Sequence, residues 1–84
     1  MNLQQLEYIV ALDTHRHFVK AAQSCGVSQP TLSTLITRLE EELDVTIFDR
    51  SSHPIKPTTI GEKLIAQARV TLFHLSQFKE ISFC

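Results

Sequence analysis

The strongest constraint on the fold is a short apolar stripe that ends at a glycine and is followed at once by a longer stripe. The first stripe has the i, i+3, i+4, i+7 spacing of one face of a short helix. Its members are Phe18, Ala21, Ala22 and Cys25. Gly26 follows where a left-handed residue commonly ends such a helix, so the chain is predicted to turn directly after Cys25.

A further helix is predicted to begin after this turn and to span about residues 29–43. Ser28 is a favourable N-cap, and Pro30 in the first turn lacks only an amide that has no helical partner there. The apolar positions recur at i, i+4, i+7 and i+11, and they are Leu32, Ile36, Leu39 and Leu43. A short helix, a turn with glycine and a longer helix form the pattern of a helix-turn-helix.

The segments on either side complete a small, mostly helical unit. The apolar spacing near the start predicts a first helix over about residues 3–14. Residues 45–48 are β-branched and aromatic, and the turn residues 51–54 separate them from residues 55–57. This order predicts a two-stranded hairpin, or wing.

Prolines and basic residues define the expected character of this wing. Pro54 and Pro57 cannot donate to a ladder, so the strands are predicted to be short and to lie at an edge. Arg50 and Lys56 flank the turn and are predicted to point a positive tip outward.

The last segment is predicted to be one long helix. Thr59 and Glu62 have the spacing of a capping box, and a helix of about 24 residues is about 36 Å long. Its apolar stripe exceeds what a three-helix core covers, so we predict that it pairs two copies of the chain. The residues predicted for dimerisation are Ile65, Ala68, Leu72 and Leu75. The predicted fold class is mostly α: a winged helix-turn-helix, with a three-helix core and a short β-hairpin wing, followed by a long linker helix.

The charge pattern is more informative than the net charge. Eight basic and nine acidic residues give a net charge of −1, which argues against a purely electrostatic binder of nucleic acid. The signs are segregated, however, because residues 14–39 hold three basic and no acidic residues, and residues 40–49 hold five acidic and no basic ones. One face is therefore predicted to be locally positive. A solvated helix end is an equally acceptable interpretation of the acidic run 40–42.

The predicted helix 29–43 carries short polar side chains where an ordinary solvated helix would carry Glu and Lys. Such side chains allow a helix to lie deep in the major groove of double-stranded DNA and to reach bases and phosphates. The outward residues are Gln29, Thr31, Ser33, Thr34, Thr37 and Arg38. The alternative is a helical dimerisation or protein-interaction module that does not bind DNA, which the low net charge favours and this polar face opposes.

Other classes of protein find little support in the sequence. There is no glycine-rich loop or catalytic constellation, so we expect no enzyme activity and no cofactor. His15 and His17 lie two residues apart without a thiol or carboxylate at metal spacing, so we expect no metal site and expect His17 to cap the second helix. Cys25 is expected to be a buried small apolar residue, and Cys84 to be exposed. Without a transmembrane stretch or signal peptide, the expected location is cytoplasmic.

From Asn2 to about Leu72, the sequence resembles the LysR-type transcriptional regulators. The resemblance is carried by Ala21-Ala22, Val27-Ser28-Gln29-Pro30-Thr31-Leu32-Ser33, Ile36, Leu39-Glu40, Leu43, Phe48, Arg50, Thr58 and Gly61. Three further segments resemble the peroxide-responsive OxyR regulators within that family. They are Leu6-Glu7-Tyr8, His15-Arg16-His17-Phe18 and Ser24-Cys25.

The resemblance implies a DNA-binding domain at residues 1–58 and a linker helix for dimerisation at residues 59–84. It implies that the effector-binding domain is absent from this chain, and that the full-length protein is a homodimer or a tetramer. It places Gln29, Pro30, Thr31, Ser33 and Thr34 at positions that contact bases and nearby phosphates, and Arg50 and Lys56 in a wing that follows the backbone or the minor groove.

Several positions depart from the family pattern. His17 and Asp44 stand where glycine is common, and Asp tolerates the left-handed geometry of a helix end. Thr34 and Leu35 stand where many members carry Gly, Gln, Arg or Lys, and the smaller number of bidentate donors implies weaker base reading or greater use of DNA shape.

Overall fold

The computed structural model describes residues 1–83, which form four helices and one two-stranded antiparallel sheet. The elements in chain order are α1 (Leu3–His15), α2 (Phe18–Cys25), α3 (Gln29–Leu43), β1 (Phe48–Asp49), β2 (Lys56–Pro57) and α4 (Thr59–Phe83). The predicted fold class, a three-helix core with a short hairpin wing and a long final helix, is confirmed. Cys84, which was expected to be exposed, lies outside the described residues.

Local capping signals set the ends of α2 and α3. His17 Nδ1 accepts a hydrogen bond from the Lys20 amide at 3.3 Å, which confirms that His17 caps α2. Gly26 ends α2 with a φ of 69°, and Ser28 Oγ then accepts from the Thr31 amide at the start of α3. Asp44 ends α3 in the left-handed region with a φ of 55°, as its short polar side chain allows.

The core lies where α1, α2 and α3 meet beneath the first half of α4. Leu12, Leu32 and Ile36 are fully buried there, and Cys25 is half-buried at its margin rather than enclosed. Ile65 and Ala68 of α4 are 3% and 2% exposed and belong to this same core.

The burial of these two residues corrects the dimer surface that was predicted from the apolar stripe of the last helix. Ile65 and Ala68 are covered by their own chain, because α4 packs on α1, so they have no surface left for a second copy. Leu72 and Leu75 are half-buried. The first half of α4 therefore shares one core with residues 1–58, and only the second half projects beyond it.

The wing is shorter than the sequence pattern predicted. Each strand has two residues, with Phe48 opposite Pro57 and Asp49 opposite Lys56. Pro57 has no amide hydrogen, so the ladder cannot extend far on this strand.

The start of α4 also differs from the expectation. Thr58, and not Thr59, is the N-cap, because its Oγ1 accepts from the Gly61 amide at 3.0 Å. The Thr58 amide donates to the Ile47 carbonyl oxygen at 2.8 Å, which fixes the start of α4 against the chain leading into β1. No helix in the described part of the chain is both long enough and apolar enough to cross a membrane.

Candidate nucleic-acid interface

Helix α3 has one buried side and one outward polar side. Leu32, Ile36 and Leu39 are buried on the core side. The sequence-predicted contact residues lie on the other side, either exposed or half-buried, and they are Gln29, Pro30, Thr31, Ser33, Thr34, Thr37 and Arg38. The helical period brings the side chains three and four residues apart in this set onto a common surface. This surface is free of acidic residues until Glu40 in the last turns.

Thr31 has a local bond as well as a surface position. Its hydroxyl lies 2.9 Å from Ser28 Oγ, and its amide donates to the same oxygen. Thr31 therefore forms part of the N-terminal cap of α3, which holds the first turn in place.

Arg50 points in a different direction from the one predicted. Its Nη2 donates to Thr37 Oγ1 at 3.0 Å and to Glu40 Oε1 at 3.3 Å, and its Nη1 lies 3.5 Å from Ser33 Oγ. The guanidinium carbon also lies 5.4 Å from the centroid of the Phe18 ring, which is a cation–π distance. Arg50 therefore reaches back across α3 instead of extending from the tip of the wing.

Glu40 has a structural role beside this surface that the sequence pattern did not predict. Its Oε2 accepts from the Ile47 amide at 2.7 Å and from the Phe48 amide at 3.3 Å, and its side chain is 14% exposed. The interpretation of the acidic run as a solvated helix end is therefore wrong for Glu40. No local signal identifies this role, since it requires the chain after α3 to fold back onto the helix.

The two wing strands present opposite charges. Lys56 is exposed on β2, opposite Asp49 on β1. Hydrogen bonds from the Ser51 hydroxyl and amide, and from the Ser52 hydroxyl, hold the pKa of the Asp49 carboxyl below its ordinary value of 3.8. These bonds order the turn of the wing. Lys56, the basic residue of strand β2, forms no ion pair among residues 1–83.

Two further arginines are engaged with a single carboxylate. Asp13 accepts from Arg16 Nη2 at 2.9 Å and from Arg69 Nη2 at 2.8 Å, which links the end of α1 to α4. Arg16 is in the left-handed region, with a φ of 54°, at the C-cap of α1. Within the described part of the chain, no group of three His, Cys, Asp or Glu side chains is placed to hold a metal ion.

Comparison with known proteins agrees with this geometry. Residues 3–62 match the family described as "Bacterial regulatory helix-turn-helix protein, lysR family". The DNA-binding transcriptional dual regulator OxyR of Escherichia coli K12 is 49% identical over 82 residues, which are 98% of this chain and 27% of the relative. The hydrogen peroxide-inducible genes activator of Haemophilus influenzae is 45% identical over the same shares of the two chains. The chain thus spans about a quarter of the length of these relatives.

Solved structures give the same result. A variant of full-length OxyR from Pseudomonas aeruginosa has a TM-score of 0.93 and 44% identity, over 98% of this chain and 28% of that one. The BenM DBD in its complex with benA site 1 DNA has a TM-score of 0.94 and 35% identity, over 98% of this chain and 92% of that one. The chain belongs to the LysR family of bacterial regulatory helix-turn-helix proteins.

Proposed function

We propose that this chain is the sequence-specific DNA-binding domain of a LysR-type transcriptional regulator. In this proposal α3 enters the major groove, and the wing lies along the backbone or the minor groove. The observation that carries it is the division of α3, whose apolar stripe is buried while amide, hydroxyl and guanidinium groups occupy its outward side. The similarity to a BenM structure solved with DNA supports it.

The rival interpretation, an interaction module without DNA binding, rested on the low net charge. The structure weakens that argument, because the outward surface of α3 before Glu40 carries Arg38 and no acidic residue. This surface is therefore locally positive although the net charge of the chain is −1.

The proposal is tested by selecting duplexes from a random-sequence pool with the 84-residue chain and measuring affinity by fluorescence anisotropy at low and moderate salt. We expect enrichment of a defined sequence and affinity that falls as salt rises. Gln29→Ala is expected to reduce the preference for the enriched duplex over a shuffled one, since Gln can pair bidentately with adenine. Gln23→Ala, an exposed amide on α2, is the matched control. Failure to bind any duplex at low salt would refute the proposal.

We also propose that the chain works as a cytoplasmic homodimer paired through the second half of α4, within a longer regulator that is a dimer or a tetramer. The support is the set of exposed apolar side chains on that half, which includes Phe73, Phe78 and Ile81. Soluble proteins seldom leave such a set uncovered.

Finally, we propose that the regulator responds to peroxide. The support is the 49% identity with OxyR of Escherichia coli. The whole regulator, expressed with a reporter promoter that carries the selected sequence, is expected to give peroxide-dependent transcription. Expression that peroxide does not change, with the regulator folded and bound to that promoter, would contradict this.

A further inference from the structure

The side chain of Arg50 is held on several sides. It follows β1 directly, and the carboxylate of Glu40 binds both the start of that strand and the guanidinium. The guanidinium carbon lies over the Phe18 ring, 5.4 Å from its centroid. An arginine held in this way has lost much of the freedom that a flexible phosphate anchor uses, and the nearby carboxylate offsets its charge.

The chemistry of arginine determines the role of Thr37. A guanidinium has donors and no acceptor, so the Thr37 Oγ1 must accept the 3.0 Å bond from Arg50. The hydroxyls of Thr14 and Thr71 behave differently, because each donates to the carbonyl oxygen four residues back at 2.9 Å. The Thr37 hydrogen is therefore directed away from Arg50, and the adjacent cation strengthens it as a donor.

We propose that Arg50 is a positioning residue that fixes the Thr37 hydroxyl as a hydrogen-bond donor toward DNA, so that this point on α3 selects an acceptor edge in the major groove. The matching edges are purine N7, guanine O6 and thymine O4. The amino groups of cytosine and adenine are disfavoured, because a cation lies 3.0 Å behind the hydroxyl oxygen. This inference rests on the proposed function. It adds to that function the kind of base edge that Thr37 selects and the role of Arg50 in holding Thr37.

The test is a double-mutant cycle in the 84-residue chain, with the duplex enriched from the random pool and a shuffled duplex of the same composition. Thr37→Val removes the hydroxyl at nearly constant volume, and Arg50→Lys keeps the charge but loses the planar fork. Each single variant is expected to reduce the preference for the enriched duplex by about three- to tenfold, the range of one hydrogen bond. The double variant is expected to lose no more than the larger single effect.

Two controls make the cycle specific. Thr34→Val removes an exposed hydroxyl on the outward side of α3, and the hydrogen bonds of Arg50 within residues 1–83 go to Ser33, Thr37 and Glu40 instead, so its effect is expected to add to that of Arg50→Lys. Thr37→Ser keeps the hydroxyl but loses the methyl group, and it is expected to retain the preference for the enriched duplex. If Thr37 acted only by packing, loss of the methyl group would reduce that preference. If the Arg50 variant does not fold, the comparison of Thr37→Ser with Thr37→Val still decides the role of the hydroxyl.

The outcomes are distinguishable. Additive effects of Arg50→Lys and Thr37→Val, with equal weakening on both duplexes, would identify Arg50 as a simple anchor and overturn the inference while leaving the proposed function intact. A wild-type chain that enriches no sequence would instead refute the proposed function and this inference together.

Discussion

Gly61 lies where the first turn of α4 passes against the backbone before β1. A Cβ at this position would lie 2.0 Å from the Ile47 carbonyl oxygen, and backbone atoms cannot move aside as a flexible side chain can. Gly26 differs, because a Cβ there meets no atom within 4 Å and only its φ of 69° opposes substitution. The two glycines are therefore needed for different reasons, one for space and the other for conformation.

This difference gives a first prediction. Gly61→Ala is expected to lower the free energy of unfolding by about 2–3 kcal/mol through steric overlap. Gly26→Ala is expected to cost about 1 kcal/mol from left-handed strain alone. Urea denaturation monitored by circular dichroism measures both. Equal costs for the two variants would show that the close approach at Gly61 is absorbed by small shifts.

Glu40 gives a second prediction at the residue scale. Glu40→Ala leaves the amides of the buried residues Ile47 and Phe48 without their acceptor, so we expect a loss of about 2 kcal/mol in unfolding free energy. Glu40→Gln retains an acceptor oxygen and is expected to lose less. Glu41→Ala, at an exposed neighbour, is expected to stay within about 0.5 kcal/mol of wild type. The same denaturation measurement applies, and similar losses at positions 40 and 41 would contradict the capping role.

At the scale of elements, the features that depend on contacts between near neighbours in the sequence could be predicted, and those that depend on distant residues could not. The ends of α2 and α3 were predictable because Gly26, Ser28 and Asp44 act on neighbours within three or four residues. The direction of Arg50 and the role of Glu40 were not, because their hydrogen-bond partners lie seven to seventeen residues away and meet only after the chain folds back.

The same limit applies to α4. Its periodicity correctly indicated a helix with an apolar stripe, but periodicity does not say which partner covers the stripe. Ile65 and Ala68 are covered by the chain's own core, and that arrangement depends on how α1 and α4 pack together. The same holds for the candidate interface. The helical period identified the outward residues of α3, but it could not predict that the Arg50 side chain turns back toward α3.

The wing gives a prediction about pH. Because the folded Asp49 has a lowered pKa, its contribution to the order of the turn is present above about pH 3.8 and is lost as the pH falls through the lower, folded value. An NMR titration is expected to show an Asp49 carboxyl midpoint below 3.8, with the Ser51 amide signal moving at the same pH. Asp49→Asn is expected to abolish the amide transition. A midpoint at or above the ordinary value would contradict this prediction.

For the whole molecule, the main feature is the projection of α4. The chain measures 45 × 25 × 20 Å, and the long axis reflects a 25-residue helix of which only the first half rests on the core. In the second half, Phe78 and Ile81 are 70% and 77% exposed. This leaves α4 with a covered apolar side near its start and exposed apolar side chains near its end.

The corresponding prediction concerns assembly. The chain is expected to be a dimer at micromolar concentrations, and Phe78→Glu is expected to give a folded monomer, because a charge would be buried in the proposed interface while the intrachain core is untouched. Gln77→Glu, an exposed neighbour, is the control for added charge and is expected to remain dimeric. Light scattering measures the mass of each. A monomeric wild-type chain would contradict the proposed dimer, and a dimeric Phe78→Glu would place its interface elsewhere.

The close approach of Gly61 to Ile47 also has a geometrical consequence for the tilt of α4. A helix of 25 residues is about 37 Å long, so a change of about 10° in tilt at its base displaces the far end by about 6 Å. In the proposed dimer the two chains meet near that far end, and the α3 helices lie near the base. In that dimer, the distance between the two α3 helices, and with it the spacing of the half-sites on DNA, would depend in part on a backbone contact that touches neither the DNA nor the partner.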